Sequence, residues 1–166
     1  MAKGTRATKL LEQVGIAFKA VAYDYDAASR SRGRQAAEAL GEPAELVLKT
    51  LMVLVDGRPV CAVVPSDRDI SMKRLAASLN GKSAQMMQAA DAERITGYKI
   101  GGISPFGQLR KLQTVIDQRA LSHPLVFVNG GQRGLQLQLD PAAIVSVLGA
   151  TTARLEIPAT TLPEGS

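Results

Sequence analysis

The chain has 166 residues and a formal net charge of +5 at pH 7, with 46% hydrophobic and 21% charged residues. This length suits one domain with a proper core, and the composition excludes wholesale disorder. No apolar stretch approaches the roughly 20 residues of a membrane-spanning helix. The N-terminus follows an amphipathic helix pattern rather than a signal peptide. We therefore expect a cytoplasmic protein with one domain over residues 1–166, frayed at 1–4 and 160–166.

The charge and the residue types limit the possible ligands. A positive net charge is compatible with an acidic polymer as partner. Only 4% of residues are aromatic and tryptophan is absent, so phosphate contacts should outweigh base stacking if nucleic acid binds. Cys61 and His123 are the only residues of their types. An internal disulfide is therefore excluded, and a zinc site or a cysteine–histidine catalytic pair is not expected.

Five short helices are predicted from apolar residues at helical spacing and from capping residues. They cover residues 5–14, 35–40, 71–79, 89–95 and 140–148. Asp140 is the expected N-cap of the last helix, with Pro141 at its first position. The polar and basic residues 26–34 are predicted to form a loop, whose arginines are either solvated or touch phosphates.

Six strands are predicted at residues 16–25, 46–55, 59–64, 112–116, 125–128 and 135–139. Asp56-Gly57 should join the second and third as a β-hairpin. The last strand alternates strictly between leucine and glutamine, which predicts one buried and one wet face. Hairpins mixed with short helices indicate an α+β fold with a mostly antiparallel sheet.

Lys49 interrupts the apolar run 47–55 near the start of the first hairpin strand. A buried ammonium is costly, and function is a common reason to keep one. Desolvation favours its neutral form and nearby anions favour the charged form, so its expected uses are base, nucleophile or anion clamp. The alternatives are that the amine reaches solvent at the sheet edge, or that it pairs with Glu45.

Two glycine-rich segments follow. The first, residues 101–107, reads Gly-Gly-Ile-Ser-Pro-Phe-Gly, and the second, residues 129–134, reads Asn-Gly-Gly-Gln-Arg-Gly. Glycine at this density lets backbone amides approach a ligand, although each segment could also be only a tight connection. Neither has the spacing of a P-loop or a Rossmann fingerprint. Ser104 lacks the nucleophile-elbow pattern, which disfavours a serine hydrolase.

Taken in order, these segments resemble the YbaK family, free-standing relatives of the editing insertion domain of bacterial prolyl-tRNA synthetases. The resemblance covers roughly residues 5–155. The matching segments are Tyr23-Asp24-Tyr25-Asp26, Gln35-Ala36-Ala37-Glu38-Ala39-Leu40-Gly41, Leu48-Lys49-Thr50-Leu51, Thr96-Gly97-Tyr98, residues 101–107 and residues 130–135.

The resemblance implies an aminoacyl-tRNA deacylase, which hydrolyses the ester between a wrong amino acid and the 3′-terminal ribose of tRNA. Cys-tRNA(Pro) is the best-known substrate of the family, and other branches clear alanine, 2-aminobutyrate, serine or threonine. The family fold is a curled, barrel-like, mostly antiparallel mixed sheet surrounded by short helices. No metal or organic cofactor is implied. The expected partner is aminoacylated tRNA, with a prolyl-tRNA synthetase as a further one and no membrane.

The family's functional positions are carried over residue by residue. The resemblance implies that the catalytic residues are Lys49, Gly101 and Gly102. The implied substrate-binding residues are Tyr23, Tyr25, Thr50, Ser104, Pro105, Asn129, Gly130, Gly131 and Arg133.

The sequence departs from the Cys-tRNA(Pro) branch around the expected pocket. That branch usually has histidine at the position of Tyr25 and serine at that of Asn129, and often an acid at that of Gln136. It also has a glycine–aspartate pair where Gly33-Arg34 stands. These differences bear on which amino acid is removed more than on the reaction, so a Ser/Thr-specific branch stays open.

An aminoacyl ester is already activated, so the site need only position it, polarise it and supply a nucleophile. We expect the Gly101-Gly102 amides to stabilise the developing oxyanion and Lys49 to anchor the terminal adenosine. The nucleophile would be a bound water, or the thiol of a cysteinyl substrate. Two rival hypotheses are a non-catalytic module that binds tRNA or a nucleotide, and an esterase for small molecules that needs no RNA.

Overall fold

The computed structural model describes residues 4–26, 28 and 32–157. The predicted frayed residues 1–3 and 160–166 lie outside these ranges, as does part of the predicted loop. The described part contains five α-helices: α1 Arg6–Gln13, α2 Arg32–Leu40, α3 Met72–Ser78, α4 Ala89–Thr96 and α5 Ala142–Leu148. Short 3₁₀ turns lie at Ala44–Leu46 and Gln118–Ser122.

Eight strands form two sheets. They are β1 Lys19–Ala22, β2 Leu48–Val55, β3 Arg58–Pro65, β4 Ala84–Met86, β5 Gln113–Asp117, β6 Val126–Asn129, β7 Leu135–Leu139 and β8 Thr151–Ala153. One sheet has the order β4-β2-β3-β5-β8 and the other β1-β7-β6. Four of the six pairings are antiparallel, whereas β5 runs parallel to both of its neighbours. The α+β class and the mostly antiparallel pairing are therefore confirmed.

The two sheets do not close into a barrel. A single parallel bridge between Val47 and Phe127 connects them, just before β2 and within β6. The main core lies between the sheets and includes Met52 and Ile116 from one and Leu137 from the other. The opposite face of the five-stranded sheet is covered by α3 through Leu75. Since both faces of that sheet are buried along its inner strands, β2 and β3 are nearly continuous hydrophobic runs.

Several boundaries differ from the sequence-based expectation. The helix predicted at residues 35–40 begins at Arg32, so residues 32–34 are helical rather than loop; arginine is a good helix former, and exposed positions need no apolar pattern. The strand predicted at 16–25 pairs only over Lys19–Ala22. Strands β4 and β8, three residues each, were not predicted because they are too short to show a period.

Helix α5 begins one residue later than expected. Pro141 occupies the cap position, and Asp140 Oδ1 accepts a hydrogen bond from the Ala142 amide at 2.9 Å. Asp140 therefore satisfies one of the free amides of the first turn from just outside the helix.

The residues after β8 are fixed by a buried carboxylate at the end of β5. Asp117 is fully buried, and its two oxygens accept from the amides of Arg119 at 3.0 Å and Glu156 at 3.1 Å. Arg119 Nε in turn lies 3.2 Å from Glu156 Oε2. Burial raises the pKa of Asp117, and the neighbouring Glu156 carboxylate adds to that.

We expect Asp117→Asn to lower the free energy of unfolding by about 1–3 kcal/mol, because one backbone amide would then face an NH₂ group instead of an acceptor. The matched control is Asp91→Asn at an exposed i,i+3 pair with Arg94, which should change stability by less than about 0.5 kcal/mol. Urea unfolding measures both. Equal effects of the two substitutions would contradict this account.

Candidate active site

A cavity of about 640 Å³ opens where the start of β2 faces the turn at Gly101 and the ends of β6 and β7. Its wall is mixed. The apolar part includes Leu51, Met52, Met86, Met87, Ile100 and Ile103. The polar part includes Tyr23, Arg34, Lys49, Thr50, Asp69, Asn129 and Gln136. A partly apolar cavity with a few convergent polar groups is the usual form of a small-ligand site.

Lys49 is the second residue of β2, and its partly buried side chain lines the cavity. Within the described ranges, its amine makes no hydrogen bond or ion pair. Burial lowers the pKa of this ammonium; Asp69 is the strongest opposing charge, and Arg34 adds to the lowering. The suggested pairing with Glu45 is wrong, since the Glu45 carboxylate lies 3.5 Å from His123 Nε2. Lys49 is therefore available to an anionic or polar group of a ligand.

The backbone at Gly101 forms a tight turn. The Gly102 amide donates to the Lys99 carbonyl at 2.8 Å, and Gly101 has a φ of +90°. With Ile100 at negative φ, this is a type II turn, whose third position requires glycine. A Cβ on Gly101 would also collide with the hydroxyl of Tyr25, which lies against the turn.

One backbone amide of this turn has no acceptor in the described part of the chain. The Ile100 amide donates to Glu93 Oε2 at 2.9 Å, and the Ile100 carbonyl accepts from Arg133 Nε at 2.9 Å. The Gly101 carbonyl accepts from Asn129 Nδ2 at 3.2 Å. The Gly101 amide itself donates to no group in the described part of the chain. It is thus the donor that this turn can offer to a ligand.

Gly102 does not fit the catalytic role that the resemblance implied. Its amide is used inside the turn, and the residue is buried. A Cβ there would lie 2.8 Å from the backbone nitrogen of Arg133. Gly102 therefore allows two backbone segments to pack together, and the expectation of two free amides is corrected to one.

The expected substrate-binding residues fall into three groups, of which the first two lie in or beside the cavity. Tyr23, Thr50 and Asn129 line the cavity. Tyr25 and Arg133 do not line it, but they contact each other, with the guanidinium carbon 5.4 Å from the centre of the Tyr25 ring. Both lie against the Gly101 turn: the Tyr25 hydroxyl lies next to Gly101, and Arg133 donates to the Ile100 carbonyl.

Four expected residues lie away from the cavity wall. Ser104 is fully buried, and its hydroxyl accepts from the Phe106 amide at 3.1 Å. Pro105 lines a second cavity of about 590 Å³ beside α1 and α5. The Gly130 amide donates to Leu135, and the Gly131 amide donates to Asn129 Oδ1 at 2.7 Å. The last contact orients the Asn129 amide group, so Gly131 acts on the site through Asn129.

Four polar residues of the cavity wall are absent from the predicted site residues: Arg34, Ser66, Asp69 and Gln136. Gln136 was expected on the wet face of its strand but is only 4% exposed, and its Oε1 has no hydrogen-bond partner in the described part. It lies opposite Asn129 in the sheet register. Arg34 was assigned to a loop, and Asp69 follows β3 outside any motif. The resemblance was the signal for Gln136 and Arg34, since both stand at positions where the sequence departs from the Cys-tRNA(Pro) branch.

Other kinds of chemistry have little support in the described residues. None of them forms a cluster of three or more histidine, cysteine or acidic side chains that could hold a metal ion. Burial raises the pKa of the Cys61 thiol to about 12, so it stays protonated at neutral pH. Among the described helices, none is long and apolar enough to cross a membrane.

We expect Gly101→Ala to abolish the function of this site, because a side chain there must displace Tyr25 and strain a residue at positive φ. Gly41→Ala is the matched control: Gly41 also has a positive φ, of +69°, but a Cβ there meets nothing within 4 Å. Both should lose about 1–2 kcal/mol of stability to backbone strain, measured by thermal unfolding. Only Gly101→Ala should lose ligand binding or turnover, and equal losses in both would contradict the assignment.

Comparisons with known proteins identify the family of the chain. The sequence profile described as "Aminoacyl-tRNA editing domain" matches residues 30–147. The chain is 30% identical over 152 residues to the Enterococcus faecalis protein named "Putative Cys-tRNA(Pro)/Cys-tRNA(Cys) deacylase EbsC", covering 91% of this chain and 92% of that one. It is 32% identical over 139 residues to the Escherichia coli "Multifunctional Ser/Thr-tRNA deacylase ProXp-y", covering 76% and 75%.

Two further likenesses concern a synthetase and a solved structure. A proline–tRNA ligase of Geobacter metallireducens is 33% identical over 92 residues, which is 55% of this chain but only 16% of the ligase. A crystal structure described as a "putative trans-editing enzyme for prolyl tRNA synthetase" superposes with a TM-score of 0.80 over 92% of this chain and 96% of that one, at 23% identity. The chain belongs to the aminoacyl-tRNA editing domain family of the YbaK type.

Proposed function

We propose that the protein is a trans-editing aminoacyl-tRNA deacylase. Its substrate would be tRNA(Pro) carrying cysteine or another small amino acid, such as alanine or 2-aminobutyrate. The observation that carries the proposal is that one cavity brings together a lysine and a turn amide, neither of which has a polar partner among the described residues. Family membership and the name of the Enterococcus relative support the choice of an aminoacyl-tRNA ester.

The Gly101 amide would stabilise the charge that develops on the ester carbonyl oxygen. When a nucleophile attacks, that oxygen becomes an oxyanion, and a fixed backbone donor then binds it more strongly than it binds the ester. Removing one such donor typically costs about 100- to 1,000-fold in rate. Because Gly101 is held in a type II turn, its amide needs little reorganisation during the reaction.

Lys49 would anchor the terminal adenosine through its phosphate or ribose hydroxyls. It stands opposite Val64 of β3 in the β2–β3 register, and it lines the same cavity as Gly101. Arg34 lies on the same cavity and adds a second positive charge for the phosphates. The nucleophile would be a water, or the substrate thiol when the amino acid is cysteine. In the thiol route the sulfur bonds to the carbonyl carbon, the ribose oxygen leaves with the thiol proton, and water then hydrolyses the cyclic thiolactone to cysteine. In the water route no such intermediate forms. Water adds to the carbonyl carbon, the ribose oxygen leaves with a proton, and the amino acid and uncharged tRNA are released.

The decisive experiment measures amino-acid release from a panel of charged tRNAs: tRNA(Pro) carrying Cys, Ala, 2-aminobutyrate or Pro, together with Ser- and Thr-charged tRNAs. We expect clearance of a small amino acid from tRNA(Pro), and a loss of about 100-fold or more in Lys49→Ala. The control Lys73→Ala, at an exposed position on α3, should retain activity. If only the Ser- or Thr-charged tRNAs are cleared, the proposed substrate is wrong, and the activity named for the Escherichia coli relative applies instead.

Lys49→Met separates loss of chemistry from loss of fold. Burial lowers the pKa of this ammonium, so the unfolded chain binds its proton more tightly than the folded one, and the penalty is present below the folded pKa. The variant should therefore be at least as stable as the wild type near pH 7. Its advantage should shrink as the pH rises toward the ordinary pKa of lysine. An inactive but stable Lys49→Met protein would support a direct role for the amine.

Asp69 is assigned to the α-ammonium group of the aminoacyl substrate. An aminoacyl ester carries this cation next to its carbonyl, and the described wall of the cavity contains one carboxylate, Asp69. Asp69 is also the strongest charge that raises the pKa of Lys49, which places it near the anchor. A carboxylate at this point would distinguish a free amino group from a blocked one.

We expect the wild type to prefer a free aminoacyl-tRNA over its N-acetyl derivative by about tenfold or more, a typical value for one charged contact. Asp69→Asn should lose this preference by slowing only the free-amine substrate. Asp67→Asn is the matched control: Asp67 also raises the pKa of Lys49 but pairs with Arg119 and does not line the cavity. If Asp69→Asn slows both substrates equally, the carboxylate acts through Lys49 instead.

A further inference from the structure

We propose that Arg133 is a positioning residue that locks the Gly101 amide toward the cavity, rather than a residue that binds the substrate. The inference rests on the proposed function, because it concerns the donor that would hold the oxyanion. Arg133 lies in the loop between β6 and β7, outside the described wall of the cavity.

One peptide unit links Arg133 to the Gly101 amide. The carbonyl of Ile100 and the amide of Gly101 belong to the same planar, trans peptide, so the C=O and the N–H point in opposite directions. Arg133 Nε donates to that carbonyl at 2.9 Å. Whatever fixes the carbonyl on the Arg133 side therefore fixes the free N–H on the other side.

This peptide is also the one that can turn over. In the turn from Lys99 to Gly102 it is the central peptide, whose rotation interconverts type I and type II turns. Glycine at the third position tolerates both signs of φ, so the residue type alone does not hold the +90° value. A flip would reverse the Gly101 N–H. The Arg133 hydrogen bond opposes that flip, and its charge strengthens the hydrogen bond to the carbonyl.

Arg133 is itself held in place from two sides. Its guanidinium carbon lies 5.4 Å from the centre of the Tyr25 ring, within the range of a cation–π contact. The backbone beneath is tied by the Tyr23 amide, which donates to the Gly134 carbonyl at 2.8 Å. Glycine is required at 134, since a Cβ there would lie 2.7 Å from the Tyr23 carbonyl oxygen. The chain after β1 and the loop after β6 thus form one support for the turn.

The test compares Arg133→Met and Arg133→Lys with the wild type in steady-state deacylation at several salt concentrations. We expect kcat to fall about tenfold or more in both variants. The upper limit is the loss of about 100- to 1,000-fold that removing an oxyanion donor typically causes. KM should be unchanged, as should the slope of log(kcat/KM) against log[salt]. Lysine keeps the charge but cannot reproduce the arginine geometry.

Arg34→Met, which removes a cavity cation, should instead raise KM and reduce the slope by about one. The exposed hairpin variant Arg58→Met should resemble the wild type.

If Arg133 instead binds a phosphate, its variants should raise KM and reduce the salt slope, as expected for Arg34→Met. That result, or an unchanged kcat, would overturn the proposal. A second measurement does not depend on turnover: NMR relaxation dispersion at the Gly101 amide. The wild type should show no microsecond-to-millisecond exchange there, whereas Arg133→Met should show exchange from the flipping peptide. Identical dispersion in both proteins would contradict the lock. If the wild type clears no charged tRNA but the dispersion differs as expected, the proposed function fails and the positioning role stands.

Discussion

The pairing of β2 with β3 is the constraint on which the site depends. Eight residue pairs run from Leu48 opposite Pro65 to Val55 opposite Arg58. Their register is set by the Asp56-Gly57 turn, where both residues have positive φ, as a type I′ hairpin requires. The two faces of this sheet are buried against different clusters, so a slip of one residue would exchange them. It would also move Lys49 away from the cavity.

The site is assembled from segments that are distant in the chain. β2 provides the amine, the turn between α4 and β5 provides the amide, and β6 and β7 provide Asn129 and Gln136. Each segment is rigid for a separate reason: sheet pairing, a hydrogen-bonded turn, and the contact of Asn129 with Gly101 and Gly131. A partly buried ammonium is a cost to the fold, and a stable sheet can tolerate it.

The sequence predicted those parts that depend on local patterns. Lys49 stands out because it breaks an apolar run, and Asp56-Gly57 is a strong hairpin signal, so both were identified correctly in place and conformation. The strand Leu135–Leu139 was predicted with its exact bounds. The wet face of that strand was wrong, because whether Gln136 meets water or a cavity depends on which distant segments pack over that face.

The glycine segments show a second limit. Glycine density indicates unusual backbone, but it does not say which amide remains unused. The structure shows that the Gly102 amide is used by the Lys99 carbonyl, whereas the Gly101 amide has no acceptor among the described residues. The sequence likewise predicts Ser104, Gly130 and Asn129 equally as substrate-binding residues. In the structure, the Ser104 hydroxyl and the Gly130 amide form hydrogen bonds with nearby backbone groups instead. Arg34 and Asp69 reach the cavity only through tertiary packing.

The three-stranded sheet has a consequence for how the protein is made. Its outer strand β1 pairs with β7, so that Lys19 lies opposite Gln138, and its partner is synthesised more than a hundred residues later. On a translating ribosome, β1 has no partner until β7 has emerged from the exit tunnel, and Tyr23 and Gln136 cannot meet before then. The cavity is therefore absent from the growing chain until nearly all of the described residues have been synthesised. An incomplete chain would present the lysine strand without a pocket.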